Sequence, residues 1–357
     1  MRPSGRTMPI AEQRPASNLR PQGRRETGRA AVVVVGRNEG RRLRRCLEAA
    51  VRCAERVIYV DSASSDGSPA VARELGVELV ELDPALPTTA ARARNAGFQR
   101  VLECDPQVDT VQFIDGDCEI AEGWLDMALD TLRRDDSLAM VTGRIEERHA
   151  QATVYHLLCH LEWQQPVGEV AACGGLFAIR ARVFQQAGWF NAAVVAAEDD
   201  EFCLRVRRAG GRIERLDRLM ATHDVGAMSL WRWWLRMTRA GLAYGQGFAM
   251  HGRSPERHFA KQVFSTAFWG GLLPLSVAAA AWPTGGLALS LLLLYPLLGW
   301  RIYRFGRRQG WRPSHARAYA LFTVLAKFPQ MAGLIRYLAS RLRGQGPRIL
   351  EHNKSNG

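Results

Sequence analysis

The sequence predicts an α/β domain with a mostly parallel sheet and flanking helices, followed by carboxyl-terminal helices that lie in or on a membrane. Three observations lead there. Short apolar runs rich in β-branched residues alternate with segments of helical spacing over residues 30–143, an order that calls for a parallel sheet with ligands at the carboxyl ends of its strands. Charge is segregated: residues 31–230 carry 23 basic and 31 acidic side chains, 231–261 carry six and one, and 301–357 carry twelve and one. Residues 262–300 contain no Asp, Glu, Lys or Arg. Soluble cores rarely run so far without a charge, and roughly 20 apolar residues suffice to cross a bilayer.

The elements follow in order. Residues 30–35 form a run expected of a strand buried on both faces. Helical spacing over 39–52 passes through Leu43, Cys46, Leu47 and Ala50. Then come a strand at 56–60, a helix at 68–75, a strand at 77–82, a helix at 90–104, a strand at 110–114, a helix at 123–134 and a strand at 137–143. The catalytic unit is expected to span 30–230. Trp231, Trp233 and Trp234 interleave with Arg232, Arg236 and Arg239, the pattern of an interfacial amphipathic helix, so 231–261 reads as a connector on the membrane surface. Within the uncharged stretch, Trp282-Pro283-Thr284-Gly285-Gly286 is a turn between two apolar arms, so 262–303 reads as a transmembrane hairpin. Arg253, Arg257 and Lys261 precede it and Arg301, Arg304, Arg307 and Arg308 follow, which puts both ends on the cytoplasmic side of the inner membrane, with the catalytic unit. Residues 318–338 contain Lys327 near the middle and are expected to lie in the interface, within a basic tail over 304–357.

These features exclude several classes. A nucleic-acid binder would line its folded domain with basic side chains, whereas here the folded block is acidic. Seven cysteines without a CxxC pair suit neither a disulfide framework nor a zinc site and point to a reducing compartment. Residues 1–29 are rich in Arg, Pro and Gly, lack an apolar run and read as a flexible basic tail.

The chemistry is expected at the strand ends, where no GxGxxG and no GxxxxGK[ST] occurs. Instead Gly36-Arg37-Asn38-Glu39 follows the first strand, Asp61-Ser62-Ala63-Ser64-Ser65-Asp66-Gly67 the second and Asp115-Gly116-Asp117 the fourth. Two carboxylates two residues apart on a loop can converge on one hard divalent cation that keeps substrate phosphates as further ligands. Asp199 sits in Glu198-Asp199-Asp200-Glu201. Four consecutive carboxylates repel one another, so at least one pKa rises toward a value useful to a general base. Asp199 is the leading candidate, with Glu198 and Asp200 as alternatives.

Five separated motifs over residues 31 to about 245 resemble the family 2 glycosyltransferases, which have the GT-A fold. Val35-Gly36-Arg37-Asn38-Glu39 is similar to the family's opening strand and turn. Val60-Asp61 with Ser64-Ser65-Asp66-Gly67 resembles its V-D-x-x-S-x-D-G, with Ser62 where a second Asp is usual and Ala63 where a Gly is usual. Ala91 to Gly97 resembles A-R-N-x-G, Asp115-Gly116-Asp117 the DxD, and Glu198 to Glu201 with Leu204-Arg205 the acceptor-side E-D-x-D/E-x-x-L-R. The resemblance implies transfer of a sugar from a nucleotide-diphosphate sugar with inversion, assisted by Mn2+ or Mg2+. It implies that Asn38, Glu39 and Asp61 hold base and ribose, that Arg94 lies near the diphosphate, and that Asp115 and Asp117 serve ribose and metal. It further implies that Gly174 and Gly175 line the acceptor site and that His223 is a second metal ligand. Glu198 and Asp200 fall on the acceptor side. The Q-x-x-R-W of processive synthases is absent from the sequence, which favours one sugar per encounter, given to a lipid-linked or cell-envelope acceptor at the membrane. Two rivals differ in sequence: a nucleotidyltransferase wants a Lys-containing glycine-rich loop after the first strand, and a non-catalytic scaffold needs neither Asp117 nor Asp199.

Overall fold

The computed structural model describes residues 29–344. The expected amino-terminal tail up to residue 28, and residues 345–357 of the expected basic tail, lie outside the described residues. The chain opens with β1 (Ala30–Gly36), α1 (Arg41–Cys53), β2 (Arg56–Asp61), α2 (Ser68–Glu74), β3 (Glu78–Glu81), α3 (Ala90–Cys104) and β4 (Thr110–Asp115). The β1 run divides its side chains between two cores: Val32 and Val34 pack with Leu43 and Leu47 of α1, while Ala31, Val33 and Val35 pack with Phe98 and Val101 of α3. One strand therefore holds a helical layer on each face, the physical basis of a doubly wound sheet. Gly97 lets α3 lie down on β1, because a Cβ there would strike Val33 and come within 3.0 Å of Val60.

There follow β5 (Cys118–Ile120), α4 (Trp124–Arg134), β6 (Leu138–Glu147), α5 (Val154–Trp163), β7 (Gly168–Glu169), β8 (Phe177–Arg180), α6 (Ala181–Gln186), α7 (Glu198–Arg208) and β9 (Arg212–His223). The strands form one sheet in the order β3-β2-β1-β4-β8-β6-β9-β5, with β7 on β9. The parallel arrangement holds across β1 to β4. Beyond β4 the sheet is mixed: β8 runs antiparallel to β4 and β6, β6 is parallel to β9, and β5 is antiparallel to β9. The reversal has a local cause. After β6 the chain stays above the carboxyl ends of the strands through α5 and the loop carrying Gly174-Gly175, so β8 enters from that end, with Phe177 opposite Phe113. Phe98, Phe113, Phe177, Phe184, Phe190 and Phe202 interlock beneath that entry, with ring centroids from 4.5 to 6.4 Å apart.

The remaining helices are α8 (Leu230–His251), α9 (Ala260–Ala267), a π-helical turn (Phe268–Leu272), α10 (Leu273–Ala281), a 3-10 helix (Leu287–Leu293), α11 (Leu294–Arg308), α12 (Pro313–Leu325) and α13 (Lys327–Leu342). Trp231 stays exposed, but α8 is more than a surface connector: it buries Trp233, Leu242 and Gln246. Gln246 accepts from the Val195 amide at 3.1 Å and donates to the Ala193 carbonyl at 2.7 Å. On its other side α8 meets α13 with almost no side chain between them. A Cβ on Gly241 would overlap the backbone of Gln330, and one on Gly333 the backbone of Thr238. Leu158, Trp233 and Ala326 close the seam between α5, α8 and the α12–α13 junction.

Two helical stretches among the described residues are long and apolar enough to cross a membrane, Ala260–Ala281 and Pro313–Leu342. The first coincides with the leading arm of the expected hairpin. The second arm, expected over 285–303, is not one helix: Gly285 and Gly286 take positive φ, a 3-10 segment follows, and α11 begins only at Leu294. The segment 318–338, expected to lie flat, falls within the other one, Pro313–Leu342. Apolar side chains crowd the outside of this region, with Trp282 93% exposed and Leu275, Leu287, Leu293, Leu297 and Trp300 also exposed.

Candidate active site

The carboxyl ends of β1, β2, β4, β6 and β9 gather the polar groups. After β1, Asn38 adopts φ 55, a left-handed conformation that Asn tolerates better than most residues. This turns its side chain onto the β2 loop, where Oδ1 accepts from the Ser65 amide at 2.7 Å while its own amide donates to Ser64 Oγ at 2.9 Å. Glu39 is buried and pairs with Arg42 at 2.9 Å. Asp61 closes β2 with 2% exposure, accepting from Tyr59 Oη at 2.8 Å and from the Ser64 amide at 2.7 Å. Asp66 ties the same two loops together, accepting from the amides of Gly40 and Ser68. The donor-side candidates Asn38, Glu39 and Asp61 thus share one preformed wall.

Arg94 lies at the centre of the site. Its guanidinium donates to Asp115 Oδ1 at 2.8 Å and to Glu198 Oε1, and lies 5.6 Å from the Phe190 ring centroid. Burial works against its charge, but Asp115, Glu198 and Asp199 outweigh that and raise its pKa. Asp115 is itself raised by burial, with Arg94 opposing and Asp117 and Glu198 adding to the rise. Gly175, at φ 80, leaves room for Arg94, since a Cβ there would stand 2.8 Å from Nη2. Gly174, at φ 74, faces Trp163 in the same way at 3.0 Å. One buried cation therefore touches the DxD loop, the Gly174-Gly175 loop and the acidic helix.

Asp117 and His223 are brought together by the sheet edge. The β5–β9 register sets Cys118 opposite His223, and the Asp224 amide donates to the Asp117 carbonyl at 2.9 Å. His223 Nε2 stands 3.8 Å from Asp117 Oδ2, a spacing that one cation with bonds of about 2 Å spans. Asp117, Cys118 and His223 offer ligand atoms within 4.8 Å of one another. Without a cation, burial and the carboxylates of Asp117 and Asp115 push the Cys118 thiol well up and it donates to Asp117; its soft sulfur is in any case a poor ligand for a hard cation. A carboxylate and an imidazole remain, a donor set that fits Mn2+ or Mg2+ with the other positions left for phosphate and water. Burial disfavours the His223 imidazolium, yet Asp117 and Glu147 outweigh it and raise the pKa. The Glu147 side chain is fully buried and meets His223 Nδ1 at 2.6 Å.

The acidic run forms the first turn of α7, entered through Ala197 at φ 57. Asp199 and Asp200 are half-buried. Burial, then Asp200 and Glu198, push Asp199 up to about 8. Burial and Glu198 push Asp200 up to about 6. Arg94 links Glu198 to the donor side, so the two halves of the expected site meet. Glu147, Trp163, Phe190 and Arg236 go beyond the expectation. Trp163 stands edge-on to His223 at 5.6 Å between centroids, and Arg236 of α8 pairs with Glu162 at 2.6 Å. Helical spacing in 230–239 hints at an inward face, but nothing in the order of residues 145–148 marks Glu147.

Residues 31–184 match the family described as Glycosyl transferase family 2. The chain is similar to the solved structure of a mannosyltransferase from Pyrobaculum calidifontis in complex with GDP-Man and Mn2+, with 19% identity, 87% of each chain covered and a TM-score of 0.60. More distant likenesses are S. aureus TarS 1-349 in complex with UDP, at 15% identity, 89% of this chain and 92% of that one and a TM-score of 0.45, and GalNAc-T7 with UDP, GalNAc and Mn2+, at 14%, 67%, 55% and 0.46. No curated protein matches the sequence. Sheet order and the first of these likenesses show a GT-A fold. The family 2 match covers residues 31–184, which carry the first four of the five motifs; the fifth, Glu198 to Arg205, lies beyond it.

Proposed function

We propose that the protein transfers a single sugar from a nucleotide-diphosphate sugar to a lipid-linked or cell-envelope acceptor at the cytoplasmic face of the membrane, with inversion of the anomeric carbon. The observation that carries this reading is the Arg94 bridge between Asp115 and Glu198, which puts a donor-side carboxylate and the acceptor-side helix around one cation. Asn38, Glu39 and Asp61 hold base and ribose, Asp115 the ribose, and Arg94 faces the diphosphate. Asp117 and His223 hold the divalent cation, which when bound supplies positive charge against the departing nucleoside diphosphate. Asp199, raised toward 8, accepts the acceptor's proton at a pH where an ordinary carboxylate is too weak a base. Gly174, Gly175, Glu198 and Asp200 border the acceptor. A single in-line displacement, with Asp199 as base and the nucleoside diphosphate as leaving group, gives inversion.

The membrane part of the reading rests on exposed apolar surface and on charge. Ala260–Ala281 enters and the 3-10 segment with α11 returns, which keeps Arg301, Arg304, Arg307 and Arg308 on the side of Arg253, Arg257 and Lys261. The stretch from 313 to 342 then lies along the surface, because α13 is bound to α8 and α8 to the catalytic unit. The test is a panel of labelled GDP- and UDP-sugars offered to the protein in bilayer nanodiscs with Mn2+. Label in the lipid fraction in the inverted configuration is expected. Retention, or label passing only to water, would overturn the proposal.

A further inference from the structure

The structure assigns Glu147, at the end of β6, to the positioning of His223: it fixes the imidazole tautomer so that Nε2 is bare toward Asp117. This inference rests on the proposed role of Asp117 and His223 as cation ligands. Glu147 lies opposite His223 in the β6–β9 pairing and has no exposed side chain. The 2.6 Å contact, with the Glu147 oxygen as acceptor, assigns a proton to the Nδ1 of His223. Its second oxygen accepts from the Val225 amide at 3.2 Å, which holds the carboxylate in place. The Arg148 amide donates to the His223 carbonyl at 2.8 Å and locks the two strand ends together. Nε2, left without a proton in the neutral ring, faces Asp117 Oδ2 at 3.8 Å. Carboxylates behind ligating histidines fix ring orientation and raise ligand basicity in this way.

Glu147→Gln separates positioning from packing because the two side chains have the same shape. Glutamine has one acceptor where two are required. If its oxygen stays with the Val225 amide, its NH2 meets Nδ1 and the ring proton moves to Nε2; if it flips, NH2 confronts the amide. In metal-free wild type at alkaline pH, where the ring is neutral, 15N NMR of labelled histidine is expected to show Nδ1–H and a bare Nε2 for His223. In Glu147→Gln the proton is expected on Nε2. Paramagnetic resonance titration with Mn2+ alone is expected to show affinity lowered about 10- to 100-fold by Glu147→Gln. His223→Ala is expected to show a similar loss, and the double variant no further loss. A wild-type His223 with its proton on Nε2 would overturn the inference without any variant. So would unchanged Mn2+ affinity in Glu147→Gln beside a clear loss in His223→Ala. Unchanged affinity in both His223→Ala and Asp117→Asn would instead bring down the metal reading beneath it, and the inference with it.

Discussion

At the residue scale the most exposed commitment is Asp199. Asp199→Asn is expected to cut the turnover number by roughly 10²-fold or more with donor affinity little changed, because only the transition state loses a contact. Stopped assays and nucleotide titration on the same preparation separate the two, and a variant defective only in nucleotide binding would refute the role. The carboxylate must be ionised to act, and its pKa is pushed up to about 8. Wild-type turnover should therefore climb with pH toward that value and level off above it, in a limb that the variant lacks. Linkage gives a second readout of the same shift. The native state binds this proton more tightly than the unfolded chain, so its stabilising contribution is lost as pH rises through 8. Between pH 6 and 9 the melting temperature of wild type should fall relative to that of Asp199→Asn. Arg94→Lys keeps the charge but not the two-pronged grip on Asp115 and Glu198. Turnover is expected to drop about 10- to 10²-fold through misplacement alone; wild-type kinetics would show that the bridge is incidental.

At the element scale, β1 to β4 and α4 were readable because their apolar periods match what they bury: Val32 and Val34 take one core, Ala31 and Val33 the other, whereas the three-residue β5 was not. The strand-end carboxylates were readable for the same reason, since an apolar strand aims whatever polar residues follow it. The second half was not. β7 has two residues and β8 four, and β9 carries buried Arg215 among its apolar positions. Glu147 is 76 residues from His223 and reaches it through a pairing with register shifts that no local pattern records. The interleaved Trp and Arg of α8 resembled a lipid-facing surface, yet Trp233 is buried and Arg236 holds Glu162. Close approach of α8 and α13 makes Gly333 the sensitive point. Gly333→Leu should drive the helices apart and cost about 1–3 kcal/mol, measured as a lower melting temperature in detergent; an unchanged value would mean the seam is not stabilising.

At the scale of the whole molecule, the apolar helices and the catalytic unit are not independent modules. Gln246 of α8 holds the backbone at Ala193 and Val195, just before the acidic turn, and α13 lies on the other side of α8. Removing residues 259–357 should therefore lower both melting temperature and turnover on a water-soluble acceptor; a truncated protein of wild-type stability and rate would show the halves to be separable. Proteolysis of sealed inside-out vesicles should remove both termini of the full chain, and protection of the carboxyl terminus would imply an odd number of crossings. The rung that pairs Cys118 with His223 has a consequence for how this chain can change over generations. Side chains alternate along a strand, so losing or gaining one residue between Arg215 and Thr222 would turn His223 to the opposite face. Point substitutions at exposed Asp217 and Arg218 leave that facing unchanged, whereas a single-codon deletion reverses it, unless one of the bulges between β6 and β9 slides to absorb the missing residue. Lineages that keep the histidine should keep the length of β9 even where they have rewritten its composition.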